Sequence, residues 1–266
     1  MVRPLLTPRL AAVAPPDAFL LSWAEGVLRD ALHRSPRLDS RRYEIFGQGS
    51  RVNGTYLEPT SDIDLVLMLR APFGAGYGWE DFRDDVLAVL GESYTVRMGR
   101  RCLNVDDPDS LFGEMVDVLV ATEHRFQLAP GRYEQGVFFR DREGRPIVNF
   151  PKQHRRNGDA KDGRTGGRFK AAVRTAKRVR KLAERERMIA EGAAPSYLLE
   201  CLLFNVPDRV YRGGRPYRAA LDWLHRHADS LAGLPCQNGI NRLFGPGPDQ
   251  WEPGQAVRII DVLHEI

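Results

Sequence analysis

Apolar positions along the chain follow two rhythms, three- and four-residue steps and short continuous runs, and their alternation predicts a mixed α/β protein. After Pro16, Asp17 can cap a helix whose apolar positions Phe19, Leu20, Trp23, Val27, Leu28 and Leu32 share a core-facing side. Tyr43 to Gly47 reads as a short strand, and Ser50 to Leu57 as a brief helix or turn closed by Glu58-Pro59. Asp62 to Leu69 (DIDLVLML) begins polar and becomes wholly apolar, as in a central strand whose first residues reach a cleft. Helical spacing returns over Trp79 to Leu90. Tyr94 to Val96 and Glu114 to Ala121 then read as strands, the second with Asp117 alone among apolar residues.

Beyond Pro151 the pattern changes. A polar, Gly-rich loop over 152–167 leads into helices at about 168 to 190, 195 to 204 and 215 to 231. The expected organisation is therefore an α/β (α+β) palm-like lobe over 1–150, including the first helix, and a helical lobe over 151–266.

Composition adds little beyond a globular class, with 42% hydrophobic and 28% charged residues. A net charge of +4 from 39 basic and 35 acidic side chains gives no general nucleic-acid signal. The charges are segregated, however: residues 168–187 hold nine Lys/Arg against two Glu, whereas Asp106 to Asp117 is acidic. Cys102, Cys201 and Cys236 are widely spaced, which argues against a zinc module or a disulfide framework and fits a reducing compartment. Pro4, Pro8 and Arg9 interrupt any leader-like run, and no apolar run approaches the roughly 20 residues that span a bilayer, so a cytoplasmic location with no membrane partner is expected.

The chemistry concentrates in a few positions. On a strand, residues i and i+2 point to one face, so Asp62 and Asp64 project together and repel unless a cation intervenes. A hard divalent ion suits them, because Mg²⁺ takes one or two carboxylates plus substrate phosphates. Asp117, buried unpaired, would cost several kcal/mol, and it is the natural third ligand. Upstream, Gly49-Ser50 offers a close backbone approach and a hydroxyl for a phosphate. The competing readings are an ordinary turn at Gly49-Ser50, an N-cap pair at Asp62 and Asp64, and a solvent-facing edge-strand Asp117. The basic helix has Phe169, Val173, Ala176, Val179 and Leu182 on one side, so its charges form a solvated face, phosphate contacts, or a groove for a nucleic-acid activator.

Gly-Ser, eleven residues, Asp-Ile-Asp and a distant lone aspartate together resemble the signature of DNA-polymerase-β-like nucleotidyltransferases. GRFKAAVRTAKRVRK followed by PSYLLECLLFNVPD further resembles the bacterial cGAS/DncV-like nucleotidyltransferases (CD-NTases), a likeness running from about Phe46 to Asp208. That resemblance implies a polymerase-β-like palm whose nucleotide cleft is completed by the helical lobe. It implies two metal ions, Mg²⁺ or Mn²⁺, on catalytic Asp62, Asp64 and Asp117, with ATP or GTP as substrates. Nucleotide contacts would come from Gly49 and Ser50, from Lys170 and Lys177, and from Ser196 or Tyr197, although core packing competes as the role of Tyr197. The implied product is a cyclic di- or trinucleotide second messenger in anti-phage signalling, read by a downstream effector, with a nucleic-acid or protein activator as a further partner. The alternatives are nucleotide transfer to RNA or to a protein partner, as in toxin–antitoxin systems, and a non-catalytic nucleotide-binding member.

Overall fold

The computed structural model describes residues 17–57, 62–73, 76–106 and 116–266, with the side chains of 17–20 outside it. The expected Glu58-Pro59 turn, Glu114, Phe19, Leu20 and the N-terminal segment fall outside that description. The chain divides into two compact units, Met1–Val52 with Glu58–Asn149, and Asn53–Leu57 with Phe150–Ile266.

The first unit contains α1 (Asp17–His33), β1 (Tyr43–Gln48), α2 (Gly49–Asn53, whose last residue belongs to the second unit), β2 (Ile63–Leu69) and α3 (Trp79–Gly91). It continues with β3 (Thr95–Met98), β4 (Leu103–Asp106), β5 (Val116–Ala129), β6 (Arg132–Arg140) and β7 (Pro146–Asn149). The strands form one seven-stranded sheet in the order β1-β2-β5-β4-β3, with β6 on β5 and β7 on β6. Among the described strands of this sheet only β2 and β5 run parallel, and a parallel pair needs a long crossover, which α3 and the β3-β4 hairpin occupy. Because both strands are central, their runs are apolar on both faces. Leu65, Leu67, Val118 and Val120 pack with Leu28, Leu32, Phe82 and Val86, whereas Val66, Met68, Leu119 and Ala121 pack with Val137 and Phe139.

Three expectations change here. Trp23 is 39% exposed, and Ala24, Val27, Leu28, Ala31 and Leu32 are buried instead. The stripe at three- and four-residue steps passes through 24 rather than 23, about 100° around the helix. Strands β4, β6 and β7 were not anticipated, because four-residue strands and the charged RYEQGVFFR segment carry weak periodicity. Strand β5 runs on to Ala129, where its distal half pairs with β6.

The second unit contains α4 (Pro151–Arg164), α5 (Arg168–Arg185), α6 (Ser196–Asn205), α7 (Pro216–Arg226) and α8 (Pro253–Glu265), with short 3₁₀ segments at Asp208–Arg212 and Ala228–Gly233. Residues expected to form a Gly-rich loop form α4. Pro151 starts that helix with its φ preset, and the buried side is polar, made of Gln153, His154, Gly158 and Lys161. A hydrophobic period cannot report such a face. Gly158 lies there because a Cβ would meet the Gln237 amide at 2.5 Å. The apolar stripe of α5 behaves as its spacing predicts: Phe169, Val173 and Ala176 are buried with Leu198, Leu202 and Tyr211. The expected third helix is shorter than its period suggested, ending at Arg226 before the 3₁₀ turn. Among the described residues no helix is long and apolar enough to cross a membrane.

Candidate active site

The parallel register of β2 and β5 sets Asp64 directly opposite Asp117. The same row continues outward on both sides, since Gln48 of β1 pairs with Asp64 and Asn104 of β4 pairs with Asp117. Directly paired residues share a sheet face, so four polar side chains line up across four strands over an otherwise apolar floor. Asn104 Nδ2 donates to Asp117 Oδ1 at 2.6 Å. That amide satisfies one oxygen of a half-buried carboxylate and fixes its direction.

Gly49 follows β1 and starts α2, with φ at +74° in the left-handed region that favours glycine. A Cβ built there would overlap the Asp64 carboxylate, so the turn closes on the aspartate only because the side chain is absent. The two halves of the sequence motif, Gly49-Ser50 and Asp64, are therefore neighbours within one unit. Asp62 precedes β2 and is open to solvent. Partial burial first, and then the negative charge of Asp117, raise its carboxyl above the ordinary range, with buried Arg51 offsetting part of this. The Cys102 thiol responds to the same field: burial, then Asp117 and Asp64, push it up to about 12.

A carboxylate pair in register, with a third acid that responds to Asp117, is the oxygen-rich donor set a hard divalent cation requires. Among the described residues, however, no three His, Cys, Asp or Glu side chains already stand close enough to hold one ion.

In the second unit, Lys177 is buried and its three N–H donors are all engaged. Nζ reaches Glu200 Oε1 at 2.6 Å, Thr55 Oγ1 at 3.0 Å and the Thr55 carbonyl at 3.2 Å. Thr55 Oγ1 in turn donates to Glu200 Oε1 at 2.8 Å, and His154 Nε2 lies 2.9 Å from Glu200 Oε2. Burial alone would raise the Glu200 carboxyl, but the His154 hydrogen bond and the Lys177 charge outweigh it and hold it at about 2. All three donors of Lys177, a residue expected to contact phosphate, are thus engaged within the unit. Lys170 pairs with Asp159, and Arg174 Nη1 donates to the Gly54 carbonyl at 2.7 Å. Ser196 opens α6, half-buried. Tyr197 stacks between His154 and Trp251, with centroids 5.0 and 6.1 Å away, and packs against the helical core.

Residues 156–266 match the cGAS/DncV-like nucleotidyltransferase C-terminal helical domain. Over 94% of this chain and 97% of the relative, the sequence is 33% identical to the cyclic UMP-AMP synthase of Rhodothermus marinus. The chain belongs to the cGAS/DncV-like nucleotidyltransferases. It is also 32% identical, over 70% of its length and 69% of the relative's, to a cyclic dipyrimidine nucleotide synthase of Cecembia lonarensis. The structure of Rhodothermus marinus CdnE c-UMP-AMP synthase with Apcpp and Upnpp superposes with a TM-score of 0.79 at 31% identity, covering 92% of this chain and 90% of that one. This member of the family is accordingly an enzyme, a nucleotidyltransferase, with the nucleotidyltransferase fold followed by a helical domain.

In this nucleotidyltransferase, sequence reading missed Arg51, Cys102 and Asn104. Asn104 had a usable signal, since Leu-Asn-Val-Asp alternates with period two, apolar residues buried and Asn104 half-buried. Cys102 had none, because its place beside the carboxylates comes from strand pairing and not from spacing.

Proposed function

We propose that this nucleotidyltransferase joins nucleoside triphosphates, ATP or GTP among them, into a cyclic di- or trinucleotide that serves as a second messenger in anti-phage signalling. The observation that carries the reading is the meeting of Gly49-Ser50 with Asp64, beside Asp117 in register. The relatives support the class of product, since they are named for cyclic UMP-AMP, dipyrimidine, dipurine and GMP-AMP products. Those names differ in base, so base choice is left to experiment.

In the proposed reaction a 2′- or 3′-hydroxyl attacks an α-phosphate, a new P–O bond forms and pyrophosphate leaves. Asp62, Asp64 and Asp117 would hold two divalent ions, Mg²⁺ or Mn²⁺, which when bound lower the hydroxyl pKa and neutralise the leaving group. Asn104 hydrogen-bonds one Asp117 oxygen, leaving the other for a cation or for the hydroxyl proton. The Ser50 hydroxyl would donate to the triphosphate, and Gly49 lets it approach the carboxylates. Lys177 has no part in this scheme, because its donors are taken.

The test is incubation of the purified chain with the four common triphosphates, with Mg²⁺ and with Mn²⁺ separately, followed by phosphatase and mass spectrometry. A cyclic product lacks terminal phosphates and survives. Label appearing only on added RNA or on a partner protein would overturn the second-messenger reading.

A further inference from the structure

Within the first unit, a cleft of about 210 Å³ opens between the start of α3, the β3-β4 turn and the β6-β7 turn. Its floor is apolar, with Trp79, Leu103 and Val120 buried. Around it stand five arginines from three stretches of chain: Arg83, Arg100 with Arg101, and Arg140 with Arg142. Among the described residues only two acids share the lining, Glu80 and Asp141, so that lining is net positive.

The two acids do not neutralise it. Glu80 is matched by Arg140 at 3.0 Å. Asp141 is consumed by its own turn, accepting from the Glu143 and Arg145 N–H groups and from the Arg145 guanidinium. Arg83 lies against Trp79 and pairs with Asp84. Arg100 and Arg142 are exposed, and among the described residues neither side chain has an ion-pair partner. Like charges gathered around a concave surface repel each other and focus a positive potential into it, which an anion relieves. Guanidinium forks suit phosphate oxygens, which accept two parallel N–H bonds at once.

Size narrows the ligand. Pockets for drug-sized molecules begin near about 300 Å³, so this cleft suits a compact anion better than a whole nucleotide. We infer that the arginine-lined cleft binds a di- or triphosphate group, carried either by free pyrophosphate or by the tail of a nucleotide whose nucleoside lies outside. The site is distinct from Gly49, Ser50 and the aspartates, none of which lines it. It is nonetheless joined to them, because the turn carrying Arg100 and Arg101 leads through Cys102 into β4 and Asn104.

Calorimetric titration of the full-length chain with pyrophosphate, in chelator at fixed ionic strength, tests this without turnover. Saturable binding is expected, weakened at least about tenfold by Arg100→Ala with Arg142→Ala, both exposed and unpaired and so dispensable for folding. Arg125→Ala, an arginine outside the cleft, and Ser50→Ala should leave it unchanged. A parallel titration with a non-hydrolysable ATP analogue identifies the source. Equal affinity assigns the free anion; much tighter analogue binding with the same dependence on Arg100 and Arg142 assigns the nucleotide tail. Failure to saturate, equal affinity for sulfate, an Arg125→Ala loss as large as that of the double variant, or loss in Ser50→Ala would each overturn the proposal. Failure of the cyclase reading would leave this binding result untouched.

Discussion

Asp64 of β2 lies directly opposite Asp117 of β5, and the carboxylate of Asp64 fills the space that a side chain on Gly49 would need. Gly49→Ala therefore has two costs, a methyl overlapping a carboxylate and an alanine held at a φ of +74°. The backbone part is about 1–2 kcal/mol. The displaced aspartate matters more, and turnover should fall by about 100-fold, as for misplacement of a catalytic group. Circular dichroism and product formation, measured together, check that the fold survives while activity does not.

Asn104 orients Asp117 through its side-chain amide. Asn104→Ala should reduce turnover about tenfold while leaving the apparent KM for triphosphate nearly unchanged, because positioning and not binding is lost. Asn104→Asp should be worse, since it places another negative charge against Asp117. A larger effect on KM than on kcat in both variants would remove Asn104 from this role.

Lys177 and Glu200 form a buried pair, and removing one partner strands the other charge. Lys177→Met alone should cost about 3–5 kcal/mol in chemical denaturation, whereas Lys177→Met with Glu200→Leu should recover much of it. A Lys177 variant with intact stability and a raised KM for triphosphate would restore the phosphate role that the sequence suggested.

The same cluster sets a pH dependence. Glu200 is held at about 2 against an ordinary 4.5, so its contribution is complete above pH 4.5 and is lost as pH falls toward 2. Below pH 4.5 the wild type should lose stability faster than Glu200→Gln, which carries no titrating carboxyl. Parallel acid-unfolding slopes for the two proteins would contradict the depressed value.

Strands DIDLVLML and the one carrying Asp117 were legible because their apolar runs are long and each carboxylate stands out against them. The neighbourhood of Gly49 and Asp64 was legible only through the motif, since fourteen intervening residues say nothing of distance. Helix α4 was not legible, because a helix that buries Gln153, His154 and Lys161 has no hydrophobic period. The Lys177–Glu200 pair was not legible for a related reason. On a stripe of cations, sequence cannot tell the one that turns inward to Glu200 from those that face solvent.

The central claim is that Asp62 and Asp64 serve catalysis and not the fold. The most direct measurement compares wild type with Asp62→Asn/Asp64→Asn for conversion of labelled triphosphates into phosphatase-resistant product, alongside thermal unfolding. The account predicts no product from the double variant, and without added metal a melting temperature equal to or above that of wild type, because like-charge repulsion is relieved. Near-wild-type turnover by a folded double variant would contradict it.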